Sequence, residues 1–231
     1  MNNTDPISLV VFDMAGTTID EGGLVYDVLR RVTEDAGARY DDDTFLAHTG
    51  TEKRGAVASL LVAGGIPADE DRVDVVHGRF VRELAEGYGT HPPQPIPGVE
   101  TTFERLRTSG VKVALSTGYD RPTADLLLDA LGWSEGETVD LIVCATEVAQ
   151  GRPAPDMILR AMSVFGIRNP RAVMAVGDTP ADLQAAHRAG VTGVGVLTGA
   201  GDRTTLGREP HHYLVPSVAA VAGVVLGPDL G

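Results

Sequence analysis

From Gly98 onward, short apolar runs alternate with amphipathic stretches, and that alternation leaves few folds open. Lys112–Ser116, Asp140–Cys144, Ala172–Val176, Gly193–Leu197 and the less apolar His212–Val215 have strand length. Between them Phe103 and Leu106, then Leu126–Leu131, Ile158–Phe165 and Leu183–Ala189, read as helices. Strand and helix in alternation are the mark of parallel βαβ units, and strands apolar at successive positions are buried on both faces. One further run precedes them: Ser8-Leu9-Val10-Val11-Phe12 stops on Asp13 and turns through Gly16 into Thr17 and Thr18. The expected fold class is α/β, a Rossmann-like doubly wound parallel sheet whose first strand is separated from the rest by an insertion.

The insertion reads as helical. Leu24, Val25, Val28, Leu29, Val32 and Ala36 recur at helical spacing and stop at Gly37, a C-terminal cap. Phe45 and Leu46 fall in a second, shorter helix; a third starts near Thr51 and runs through Ala56, Leu60 and Leu61; a fourth carries Val73, Val76, Phe80 and Leu84. Pro92-Pro93-Gln94-Pro95-Ile96-Pro97-Gly98 then forms a stiff return linker. The expected organisation is a core of residues 1–20 and 98–231 with a helical cap at 21–97. A chain of 231 residues accommodates both. There is no internal repeat.

Charge narrows the partners. A formal net charge of −13 excludes nucleic acid and anionic membranes, which need clustered Lys and Arg. Cys144 is the one cysteine, so no internal disulfide forms and a reducing cytoplasm is expected. Met1–Pro6 lacks the features of a signal peptide, and Val218–Leu226 is too short to span a bilayer and reads as a closing helix. Oligomeric state stays open, a homodimer among the expectations.

Several strands end in polar residues of matching character. In open α/β sheets ligands bind beyond the carboxyl ends of the strands, where Asp13 stands. The run ending at Leu115 continues into Ser116-Thr117-Gly118-Tyr119, a hydroxyl and a glycine whose amide can face an oxyanion. The run ending at Val176 continues into Gly177-Asp178-Thr179-Pro180-Ala181-Asp182, with two carboxylates four residues apart on one face of a starting helix. Asp13 and Asp178 together suit a hard cation such as Mg²⁺. Arg152, in Gly151-Arg152-Pro153, offers a guanidinium able to grip two phosphoryl oxygens.

In order and spacing these four segments resemble the four motifs of the haloacid dehalogenase superfamily. Asp13-Met14-Ala15-Gly16-Thr17-Thr18, with arginine where most members use lysine, is similar to its phosphonoacetaldehyde hydrolase (phosphonatase) branch. The resemblance implies Asp13 as nucleophile, Thr117 and Arg152 as further catalytic residues, Gly16, Thr17, Gly118 and Tyr119 as substrate-binding, and Mg²⁺ held at Asp13, Ala15, Asp178 and Asp182. Ala15 stands where phosphomonoesterases of the superfamily carry the acid that protonates a departing alkoxide, so it fits a carbon leaving group. That family has a cap lysine that forms an imine with the substrate carbonyl, and the matching residue in Thr49-Gly50-Thr51-Glu52-Lys53 is Lys53. A place in the first helical turn, capped by Thr49 or Thr51, would favour its neutral amine, with Glu52 opposing. Ala56 and Gly23 depart from a histidine and a cysteine of that family. The implied activity is cleavage of the carbon–phosphorus bond of phosphonoacetaldehyde or a related 2-oxoalkylphosphonate. The alternatives are a phosphomonoesterase acting on a small phosphorylated metabolite and a non-catalytic phosphoryl-binding module.

Overall fold

A strand buried on both faces needs apolar side chains throughout, and β1 (Leu9–Asp13) has them until its last residue; all five are buried. Val10 and Phe12 enter the larger apolar cluster, Leu9 and Val11 the smaller one on the opposite face. The computed structural model describes residues 6–227, so Met1–Asp5, part of the segment read for a signal, lie outside it. The remaining strands are β2 (Ile19–Asp20), β3 (Gln94–Pro95), β4 (Lys112–Thr117), β5 (Leu141–Cys144), β6 (Val173–Gly177), β7 (Thr192–Val196) and β8 (Tyr213–Val215). Six of them make one parallel sheet in the order β5-β4-β1-β6-β7-β8, an α/β fold with β1 and β6 at the centre.

Helices α1 (Leu24–Asp35), α2 (Asp42–Leu46), α3 (Lys53–Ala63) and α4 (Glu70–Thr90) follow β2. Their apolar stripes, including Val25, Val28, Leu29 and Val32 of α1 and Val76, Phe80 and Leu84 of α4, are buried. Helices α5 (Val99–Thr108), α6 (Arg121–Leu131), α7 (Asp156–Val164), α8 (Pro180–Ala189), α9 (Arg203–Leu206) and α10 (Val221–Leu226) belong to the sheet region. Short 3₁₀ turns precede α10 and β6. No helix among the described residues is long and apolar enough to cross a membrane.

The periodicity places α6 at Leu126–Leu131, but the helix starts at Arg121. Asp120 accepts from the Thr123 amide and Pro122 sits in the first turn, so capping extends the helix beyond its apolar stripe. The proline segment is not a free linker either. Gln94–Pro95 pairs antiparallel with Ile19–Asp20, and the Ile96 amide donates to the Thr18 carbonyl at 2.9 Å, so entry to and exit from the helical insertion are tied together.

Phe12 is fully buried and meets Phe103 edge to face at 5.3 Å, and Phe103 meets Trp133 at 5.5 Å. Phe12→Ala is expected to destabilise the protein by about 3–5 kcal/mol, read as a shift in urea midpoint at constant slope.

Candidate active site

Asp13 ends β1 with 6% exposure, and the chain then folds back on itself. Gly16 adopts φ +81°, its amide donates to the Ile19 carbonyl at 2.8 Å, and the Thr18 hydroxyl donates to the Asp13 carbonyl at 2.9 Å. A Cβ at Gly16 would stand 2.6 Å from Asp178 Oδ2, so this turn needs glycine for space as well as conformation. Thr17 Oγ1 donates to Asp178 Oδ1 at 2.9 Å, which links the loop after β1 to the end of β6.

Asp178 and Asp182 do not share a helix face. Asp178 precedes the cap residue Thr179, and only Asp182 lies inside α8. Their proximity comes from the strand end: Asp178 Oδ2 accepts from the Ala200 amide at 2.7 Å. Asp182 Oδ2 accepts from Thr179 Oγ1 at 2.5 Å and from the Thr179 amide at 3.1 Å in a capping box. One oxygen from each of Asp13, Asp178 and Asp182 falls within 4.8 Å of the others.

Arg152 is not a solvated loop charge. It is buried, with Nη1 at 2.5 Å from Asp13 Oδ1 and 2.5 Å from Asp182 Oδ1, while Nη2 donates to Ser116 Oγ at 3.3 Å. The two Nη1 contacts are charge contacts outside hydrogen-bond geometry, which leaves that buried nitrogen without an aligned acceptor. Burial works against the guanidinium, but Asp13 and Asp182 overcome it and hold its charge more firmly than usual. Burial raises Asp13 to about 6; Arg152 pulls it down and Asp182 pushes it up. Burial, then Asp13 and Asp182, hold Asp178 well above the ordinary carboxylate range.

Three buried carboxylates therefore cluster around a single guanidinium that contacts two of them, and the excess negative charge fits a hard divalent cation with oxygen ligands. Asp13, Asp178 and Asp182 have the right donors, although both Asp182 oxygens are already engaged. Ala15, buried two residues beyond Asp13, has only its carbonyl to add.

Lys53 is the first residue of α3 and is buried at 6% exposure. The cap of α3 is Glu52, whose carboxylate accepts from the Arg54 and Gly55 amides. Thr49 and Thr51 instead donate to the Leu46 and His48 carbonyls, because each closes a turn of the preceding loop. Lys53 Nζ donates to the Thr51 carbonyl at 2.8 Å and stands 5.5 Å from the Tyr119 ring centre and 5.9 Å from that of Tyr26. Its amine is lowered to about 8 by burial, with Asp13 raising and Arg152 lowering it. Burial is the largest cause of that shift, and Glu52 opposes it.

The segment around Lys53 rests on the strand ends through glycines. A Cβ on Gly118 would lie 2.3 Å from the Thr51 carbonyl and 3.3 Å from Lys53 Nζ; one on Gly151 would lie 3.2 Å from Glu52 Cβ; one on Gly50 would lie 2.3 Å from Thr179 Oγ1. Gly118 thus makes room for the lysine segment. Gly118→Ala is expected to lift that segment by a fraction of an ångström to an ångström and lower kcat/KM on the order of 10²-fold. An unchanged kcat/KM would refute the close contact. Thr117, at the end of β4, is buried, and its hydroxyl accepts from the Tyr119 amide at 3.2 Å.

Three groups at the site escape sequence reading. Tyr88 lies on the apolar stripe of α4, four residues after Leu84, and looks like core; its hydroxyl meets that of Tyr119 at 3.1 Å. Tyr26 sits among the apolar positions of α1 yet faces Lys53. Glu21 reads as a linker acid before two glycines, with nothing in the sequence to mark it as 7% exposed.

Comparisons with known proteins agree with this geometry. A family model described as haloacid dehalogenase-like hydrolase matches residues 7–190. Phosphonoacetaldehyde hydrolase from Lysinibacillus sphaericus (strain C3-41) is 29% identical over 211 residues, covering 85% of this chain and 77% of that one. The protein of that name from Hahella chejuensis (strain KCTC 2396) is 31% identical over 218 residues, covering 88% and 72%. Among solved structures, a hydrolase from Pseudomonas syringae superposes with TM-score 0.80 at 23% identity over 94% of this chain and 97% of that one. A phosphonoacetaldehyde hydrolase-like protein from Oleispira antarctica gives 0.77 at 24% identity over 96% and 92%. These two show a shared fold. With the family match over most of its length, and the motifs gathered at one end of its parallel sheet, the chain belongs to the haloacid dehalogenase-like hydrolases, as an enzyme of phosphonatase-like type.

Proposed function

We propose that this hydrolase cleaves the carbon–phosphorus bond of phosphonoacetaldehyde or a related 2-oxoalkylphosphonate. The observation that carries the reading is Lys53: a buried amine, held on the Thr51 carbonyl over Gly118 and lowered by burial to about 8. Ala15 supports it, since no acid stands there to protonate an alkoxide.

The Lys53 amine adds to the substrate carbonyl, and loss of water leaves a protonated imine. An Asp13 oxygen attacks phosphorus; the C–P bond breaks, and its electrons flow into the imine to give an enamine and an aspartyl phosphate. Water hydrolyses the aspartyl phosphate and restores Asp13. Protonation of the enamine at carbon and addition of a second water release the aldehyde and restore Lys53, so one water is consumed overall. Arg152 holds the phosphoryl oxygens with its unaligned nitrogen, Thr117 and Thr17 brace the loops on either side, and Tyr119 walls the carbonyl end. Asp13, Asp178, Asp182 and the Ala15 carbonyl would hold Mg²⁺, which when bound offsets the repulsion between a carboxylate nucleophile and a phosphonate dianion.

The test is borohydride trapping with phosphonoacetaldehyde followed by peptide mapping. An adduct at Lys53 is expected, and its absence, with phosphonoacetaldehyde untouched, would sink the reading. The trapping rate should climb with pH as the amine loses its proton and level off above about 8. An ordinary lysine would keep climbing towards about 10.4. Hydrolysis of aryl phosphates in preference to phosphonates, with no dependence on Lys53, would favour the phosphomonoesterase alternative.

A further inference from the structure

The imine chemistry leaves one buried acid unused. Glu21 follows β2 and is 7% exposed. No cation among the described residues pairs with it directly; Lys53 acts on it only by charge at longer range, and Asp20 and Asp27 are the other charged groups that bear on it. One carboxylate oxygen, Oε2, accepts from the Val25 amide at 2.8 Å, at the start of α1, where the cap residue Gly23 has no side chain to offer. The Glu21 carboxylate also lies near the Tyr88 hydroxyl, and after burial it is the group that most raises that hydroxyl's hold on its proton. Tyr88 in turn meets the Tyr119 hydroxyl at 3.1 Å, and the Tyr119 ring stands against Lys53 Nζ at 5.5 Å. Glu21, Tyr88 and Tyr119 come from three separate elements, the β2–α1 loop, α4 and the loop after β4. They form one buried cluster of exchangeable protons, with the Tyr119 ring against the lysine.

A lysine that enters as an ammonium must shed a proton before it attacks a carbonyl, and the carbinolamine hydroxyl must gain one before it leaves as water. Lys53 is only 6% exposed, so a resident acceptor is needed to take the first proton and return it for the second. Asp13 is committed to attack, and position 56 carries alanine. We propose that Glu21 is the proton store of the lysine pocket, acting through the Tyr88 and Tyr119 hydroxyls. The proposal rests on imine formation at Lys53. Lys53-NH₃⁺ and Glu21 carboxylate become the neutral amine and the carboxylic acid. The amine nitrogen bonds to the carbonyl carbon, and a proton passes from that nitrogen to the new alkoxide. Glu21 then returns its proton to the resulting hydroxyl, the C–O bond breaks, water departs and the nitrogen lone pair closes the protonated imine. Glu21 ends as it began, a carboxylate. Burial raises its affinity for the proton, as a store of this kind needs.

Glu21 does not touch the substrate, so a purely structural part, bracing α1 through Val25, has to be separated from the relay. Glu21→Gln keeps a carbonyl oxygen for the Val25 amide but cannot carry the proton. In the magnesium-loaded enzyme with phosphonoacetaldehyde, Glu21→Gln is expected to lower kcat and the rate of borohydride trapping together, on the order of 10²-fold, with KM within about threefold and the thermal midpoint unchanged. Tyr88→Phe, which breaks the cluster without altering Glu21, should lower both rates in the same sense, while Glu21→Asp recovers part of the loss. If the wild-type protein traps an adduct and Glu21→Gln does so at the same rate, the relay is wrong and the imine reading stands. If Glu21→Gln loses activity in step with a fallen thermal midpoint, or Tyr88→Phe is fully active, Glu21 is a brace for α1 and the proposal is overturned. If the wild-type protein traps nothing and leaves phosphonoacetaldehyde intact, the imine reading fails and the relay falls with it.

Discussion

Lys53→Met is expected to lower phosphonoacetaldehyde turnover about 10⁴-fold, the scale on which removal of a covalent nucleophile acts, and to abolish the borohydride adduct. The same variant should be more stable than the parent. A lysine amine lowered to about 8 in the folded protein, from 10.5, means that the unfolded chain binds more protons between those two values. Wild-type stability therefore rises with pH across that window, and below about 8 the penalty of holding the ammonium in the fold is fully present. Methionine removes it, so the variant should gain up to roughly 3 kcal/mol at neutral pH, and the gain should shrink towards pH 10.5. Unfolding midpoints at two pH values check this. A variant that loses activity and stability together would show Lys53 to be a packing element rather than a reactive amine. Slow turnover of an aryl phosphate should survive the change, because none of the phosphoryl-handling groups is touched.

Asp13→Asn is expected to abolish both activities, phosphonate and aryl phosphate alike, by at least about 10⁴-fold. Its stability signature depends on metal. Without a divalent cation, an acid raised to about 6 in the fold weakens the folded state above that pH, so asparagine should be tolerated or mildly stabilising at pH 7, apart from the loss of an ion partner for Arg152. With Mg²⁺ added, the parent should gain midpoint by mass action and Asp13→Asn should gain much less. Equal midpoint shifts in the two proteins would remove Asp13 from the cation site.

These two residues also mark what a single sequence makes legible. Asp13 was visible because a run apolar on both faces can only be a central strand, and a carboxylate that ends such a strand stands at the ligand-binding edge of the sheet. The order of strands and helices followed from the same periodicity, and the misplaced boundaries, such as the start of α6, came from capping residues that carry no apolar signal. Lys53 could be named by resemblance but not understood. The Thr51 carbonyl, the burial that lowers its amine and the rings of Tyr26 and Tyr119 are brought to it from separate elements. Tyr88 was hidden by its own regularity, since a tyrosine on an apolar stripe looks the same whether its hydroxyl is idle or bonded. Glu21 had no signal at all. Burial of an acid in a linker is decided by helices that pack over it much later in the chain.

The glycine at position 118 has a consequence for which molecules the enzyme accepts. The Thr51 carbonyl rests where a side chain of residue 118 would otherwise stand, with Lys53 Nζ just beyond, so the gap between the Thr51 segment and the strand end is set by backbone on both sides. Backbone does not change rotamer to admit a larger guest. On the proposed reading, a bulky 2-oxoalkyl chain should be refused by holding the two halves apart and letting water in, not by a missing contact. The pocket would then work as a calliper, and selectivity for short carbonyl phosphonates should be steep, with each added carbon felt in the closing step rather than in the initial encounter.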